Sequence, residues 1–111
     1  MIPEGAVERV QRWADQRIPE HIRDQIRLEV ENTGRTITIL ECRPPWPPDL
    51  GDEWTTFPIA RLRYTKIRDE WSLYWRDRNS ELHEYDLIEP SPNIEDLLDE
   101  IDSDPTAIFW G

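Results

Sequence analysis

Three closely spaced runs in the second half of the chain alternate apolar and polar residues. They are 57–65 (FPIARLRYT), 71–79 (WSLYWRDRN) and 82–88 (LHEYDLI). Successive strand side chains point to opposite faces, so a period of two marks half-buried strands. The runs are rich in strand formers, and only short turns separate them. They predict a three-stranded antiparallel meander around which the rest of the chain wraps.

A four-residue loop at Ile67-Arg68-Asp69-Glu70 sets Leu62 opposite Trp75 and Tyr64 opposite Leu73. One face then carries Leu62, Tyr64, Trp71, Leu73 and Trp75. The other carries Ile59, Arg61, Arg63, Ser72, Tyr74 and Arg76. The last hairpin admits two registers. A two-residue Asn79-Ser80 loop puts His83 and Tyr85 with the arginines. A three-residue loop through Glu81 puts His83, Tyr85 and Leu87 with the tryptophans, and Glu84 and Asp86 beside Arg61, Arg63 and Arg76. A one-residue slip inverts the whole strand. The second register is expected, because it gives the cleaner apolar face and compensates the arginines.

Upstream, Ala6, Val10, Trp13, Ala14 and Arg17 recur at helical spacing, which predicts a helix from about Pro3 to Arg17, stopped by Pro19. Ile26, Leu28 and Val30 then alternate with Arg27, Glu29 and Glu31. After a turn at Asn32-Thr33-Gly34-Arg35, residues 36–42 (TITILEC) form the second arm of a hairpin. Residues 43–54 (RPPWPPDLGDEW) hold four prolines around Trp46 and read as a stiff crossover into the meander. Downstream, Ile94, Leu97, Leu98 and Ile101 mark the apolar stripe of a second helix, with Asn93 as its cap and Asp96 as a capping-box partner. The apolar end, Ala107 to Trp110, is expected to fold back into the core.

The chain has 111 residues, which suits one domain over 1–111. Six Trp, three Tyr and two Phe supply apolar area for its core. The fold class expected is α+β: a single antiparallel sheet of about five strands, a hairpin plus a meander, packed by an N-terminal and a C-terminal helix. Cys42 is the only cysteine, so no internal disulfide can form and a reducing compartment is expected. There is neither a signal-peptide pattern nor an apolar run of membrane-spanning length, so a cytoplasmic location is expected.

Charge is unevenly spread within a net −11. Residues 1–78 hold 13 basic and 14 acidic residues, whereas 79–111 hold 10 acidic residues and no Lys or Arg. That acidic third repels phosphates, opposes general nucleic-acid binding and would suit a basic protein partner.

Chemistry is sparsely signalled. His21 and His83 lie in separate segments and no Cys or His pair has zinc spacing, so no metal and no cofactor is expected. Calcium-loop and phosphate-binding glycine patterns are absent. Asp77 and His83 are placed to meet across the last hairpin, with Ser72 or Ser80 as a conceivable nucleophile, which makes a small hydrolase one alternative. Cys42 reads as a buried structural cysteine at a strand end. The richest cluster is cationic and aromatic. Arginine grips carboxylate or phosphate and stacks on rings, so Arg61, Arg63, Tyr74, Arg76 and Arg78, with Trp46 and Trp54, are the candidate binding residues. They point first to a non-enzymatic module binding a protein partner. Single-stranded nucleic acid on the arginine and aromatic face is the other alternative.

The segments WTTFPIARLRYTK, WSLYWRDRN and DLLDEIDSDPTAIFWG, with RPPWPP and IPEHIRDQIRLE upstream, resemble a bacterial family called domain of unknown function 3024. The likeness covers nearly the whole chain, and the terminal DPTAIFWG is its most specific part. The resemblance implies a small one-domain protein and carries no activity, so no catalytic residue is transferred. Members of that family often have Gly near Ser80 and a basic residue near Glu81. This sequence departs from them there, which weighs against nucleic-acid binding at the hairpin tip.

Overall fold

The computed structural model describes residues 2–22, 24–45, 54–79 and 81–109. Helix α1 spans Ala6–Arg17 and buries Ala6, Val10 and Ala14. It begins three residues later than Pro3 because Gly5 adopts the left-handed conformation, with φ 83°. That conformation is open to glycine and breaks the helical path. A short 3₁₀ turn at Glu20–Ile22 leads into the sheet.

The sheet has five strands in sequence order, every neighbour antiparallel: β1 (Arg27–Thr33), β2 (Thr36–Arg43), β3 (Thr55–Thr65), β4 (Glu70–Arg76) and β5 (Leu82–Glu84). The hairpin and the meander are thus one continuous meander, joined where β2 pairs with β3. Most of the proline-rich crossover, including Trp46, lies outside the described residues. The β2–β3 ladder shifts register between Ile39 and Leu40, opposite Pro58-Ile59-Ala60. Pro58 has no N–H to give a ladder, and it sits beyond the last β3–β4 pair, Ala60 with Trp75.

Both faces of the meander carry the expected residues except Ile59. It was expected beside the arginines and is instead buried in the core cluster, where the β2–β3 register shifts. Both hairpins are shifted by two. Leu62 lies opposite Leu73, not Trp75, and Tyr64 lies opposite Trp71, not Leu73. The cause is the turn, which occupies 66–69. Asp69 takes φ 49°, its N–H donates to the Lys66 carbonyl at 3.2 Å, and the Tyr64 hydroxyl donates to its carboxylate at 2.5 Å. Asp tolerates this left-handed geometry better than most residues do. In the last hairpin Trp75 faces His83, and Arg76 faces Leu82. The loop runs from Asp77 to Glu81, two residues longer than expected. His83 still falls with the tryptophans and Glu84 beside Tyr74 on the opposite face. Leu87 does not join the apolar face: β5 ends at Glu84, and Leu87 is exposed.

Helix α2 spans Ile94–Ser103, and the Asn93 side chain accepts from the Glu95 N–H. The Asp96 carboxylate receives the Ser91 hydroxyl at 2.7 Å, so Ser91 takes the partner that the capping box had assigned to the helix start. The helix ends at Asp104, in the left-handed conformation with φ 40°.

The core lies between the two helices and one sheet face. Ile37, Ile39, Leu62, Leu73 and Trp71 meet Val10 and Ala14 of α1 and Leu97, Leu98 and Ile101 of α2. Each of the Val, Leu and Ile side chains among them stabilises by roughly 1.5–3 kcal/mol through burial. Trp71 is 2% exposed, and Trp75 packs half-buried at the core's margin. Asp102 ties the helices together, accepting from the Trp13 indole at 2.9 Å and from Arg17 at 2.7 Å. Phe109 returns to the core against Tyr85, its N–H held by the Asp104 carboxylate.

Candidate binding face

Because the helices cover one side of the sheet, alternation sends the polar positions to the other. On β3 and β4 these are Arg61, Arg63, Ser72, Tyr74 and Arg76, and no described helix packs over them. Arg35, Thr36, Arg61, Arg63, Tyr74 and Leu82 line an open cleft of about 520 Å³ there. The β1–β2 turn delivers Arg35: Thr36 lies opposite Arg63, and the Tyr64 N–H donates to the Arg35 carbonyl at 2.8 Å. Arg61 is fixed by its Nε, which donates at 3.0 Å to the hydroxyl of buried Thr38. This bond leaves its other guanidinium N–H groups available.

The face carries acids as well as arginines, with Glu84 beside Tyr74 and Glu31 beside Thr38. Yet among the described residues no carboxylate lies within ion-pairing distance of Arg35, Arg61, Arg63 or Arg76. The expected compensation by Glu84 and Asp86 is not formed. Asp86 follows the end of β5 and escapes the alternation that was to place it. The acids of α2 are instead used within the fold: Glu95 pairs with Arg9, Asp102 with Arg17, and Glu100 receives the Tyr85 hydroxyl.

Of the seven candidate binding residues, Arg61, Arg63 and Tyr74 meet in the cleft. Arg76 shares their face and reaches over the exposed Phe57 ring, 5.7 Å from its centroid. Trp54 is elsewhere, stacked under the Arg27 guanidinium at 3.9 Å. Arg78 is exposed in the β4–β5 loop, and Trp46 is not among the described residues. Sequence reasoning missed Arg35, Thr36 and Leu82. The signal for Arg35 was its place in a tight turn beside a strand pair that ends at Arg63.

The hairpin tip forms a second constellation. Asp77 Oδ1 accepts the N–H groups of Asn79 and Glu81 at 2.8 and 3.0 Å, and its Oδ2 lies 2.6 Å from His83 Nε2. The His83 contact, then the backbone donors, hold the Asp77 carboxyl below the usual carboxylate range. The His83 ring stacks on Trp75 at 5.0 Å between centroids. Asp77 and His83 therefore meet, as expected. Ser72, however, projects from the opposite face to Trp75 and His83, out of reach as their nucleophile. Ser80 lies outside the described residues. The donor atoms of Asp77, Glu81 and His83 all fall within 4.8 Å of one another, a set that could hold a metal ion. Zinc spacing of Cys and His alone did not reveal it, because two of its members are carboxylates.

A family model for a domain of unknown function, DUF3024, matches residues 3–111. The chain belongs to the DUF3024 family. This match agrees with the resemblance carried by the WSLYWRDRN and DPTAIFWG segments, and the DUF3024 fold seen here is α+β. No curated protein and no solved structure matches the chain. No described helix of this DUF3024 protein is long and apolar enough to cross a membrane.

Proposed function

We propose that this protein is a non-enzymatic binding module whose open sheet face takes an acidic segment of a partner protein. The observation that carries this reading is the arginine cleft itself. Arg35, Arg61 and Arg63 converge around Tyr74 with no carboxylate paired to them among the described residues. An arginine fork binds carboxylates in bidentate fashion, and Tyr74 and Leu82 add apolar contact beside it. The partner chemistry follows from which charges are left over.

Single-stranded nucleic acid is the second reading, favoured by one aromatic ring set among arginines on a sheet. The net charge of −11 repels any anionic partner, an acidic segment included, but it weighs more against a nucleic-acid strand, whose charge continues along its whole length beyond the cleft. Amide chemical shifts followed during titration with a glutamate-rich decapeptide at low salt test the proposal. Shifts at Thr36, Arg63 and Tyr74, abolished in Arg61→Glu/Arg63→Glu, are the expected result. Binding of a single-stranded oligonucleotide instead, weakening steeply with salt, would select the second reading. Silence with both probes ends both readings.

A further inference from the structure

We propose that the tip of the β4–β5 hairpin is a site for a divalent transition-metal ion, ligated by Asp77, Glu81 and His83. All three donor atoms already lie within 4.8 Å of one another. Ligands bound tetrahedrally to one zinc-like ion at roughly 2.0–2.2 Å stand roughly 3.4 Å apart, so only side-chain adjustment is needed. The His83 Nε2 and Asp77 Oδ2 are 2.6 Å apart and would open slightly to admit the ion. In doing so Nε2 offers its lone pair to the metal, and any proton held between the two groups leaves to solvent.

Two of the ligands are held in place by the hairpin. Asp77 Oδ1 is taken up by two backbone N–H groups, which aims Oδ2 at the imidazole. The His83 ring is steadied by Trp75. Such supporting contacts orient first ligands and raise affinity. Charge agrees as well: among the described residues neither Asp77 nor Glu81 is paired with Lys or Arg. An imidazole with two carboxylates selects a zinc-like or nickel-like cation over calcium or magnesium, which favour all-oxygen sets. Three protein ligands leave a coordination position for water, as in an open site.

Titration of the whole chain with zinc chloride, by calorimetry and by NMR of the imidazole and amide signals, tests this. The expected result is one saturable zinc per chain, moving the His83 ring signals and the amides of Asp77, Asn79 and Glu81. His83→Gln and Glu81→Gln should each weaken binding by more than the roughly 10–100-fold typical of losing a supporting contact. His21→Gln should change nothing. The Glu81 side chain makes no hydrogen bond among the described residues, so Glu81→Gln remains decisive even if the His83 variant unfolds. Absence of saturable binding, unchanged affinity in His83→Gln or Glu81→Gln, or shifts centred on His21 would overturn the proposal.

Discussion

Replacing Tyr85 by Phe removes one oxygen and isolates one interaction. Tyr85 is 4% exposed, its ring lies 5.3 Å from that of Phe109, and its hydroxyl donates to Glu100 of α2 at 2.5 Å. Burial first, then the Glu100 hydrogen bond, pushes its phenol well above the ordinary tyrosine range. The Phe ring fills nearly the same volume, so cavity terms are small. What is lost is a hydrogen bond to a charged group, worth about 1.5–3 kcal/mol in general. Glu100 is only half-buried and water can partly replace the hydroxyl, so the lower end applies, about 1–2 kcal/mol. Urea unfolding at neutral pH measures it. A double-mutant cycle with Glu100→Leu separates the pair from its surroundings. Once the carboxylate is gone, Tyr85→Phe should cost much less. A single-variant loss below about 0.3 kcal/mol with no coupling would refute the claim that this contact anchors α2, given that an ordinary hydrogen bond contributes more.

Two further expectations concern other parts of the fold. Burial, then the charge and hydrogen bond of Glu29, raises the Cys42 thiol from 9.0 to about 11. The unfolded chain then ionises first as pH rises, so stability is lost between those values, by on the order of 2 kcal/mol relative to Cys42→Ala. Denaturant midpoints of the two proteins at pH 8 and 10.5 measure this, and parallel midpoints would contradict it. Asp102→Ala removes the acceptor shared by Trp13 and Arg17 at the helix contact and should cost about 1–2 kcal/mol. Urea unfolding measures the cost, and an NMR shift of the Trp13 indole N–H with the other indole signals unmoved distinguishes loss of this contact from general loosening.

The arginine face was legible before the fold because Arg61, Arg63, Tyr74 and Arg76 alternate with core residues. The cleft was only half legible. Arg35 and Leu82 come from other elements, and only strand pairing brings them to Arg63 and Tyr74. The hairpin-tip cluster was visible as Asp77 and His83 but not as a trio, since Glu81 joins it through a loop longer than the expected one.

Alternation in the sequence alone determined which side of the regular stretches of β3 and β4 faces the helices, because within an unbroken ladder a side chain's face depends only on whether its position is odd or even. At the β2–β3 register shift the rule breaks, and Ile59 and Ala60 are both buried. The helical stripes likewise determined what α1 and α2 bury. Only the tertiary structure decided which residues stand opposite one another. A slip of two residues preserves every face, so hydrophobic burial scarcely opposes it. The choice fell to the turns: to Asp69 in its left-handed conformation, and to the Asp77 carboxylate gathering the N–H groups of the last loop.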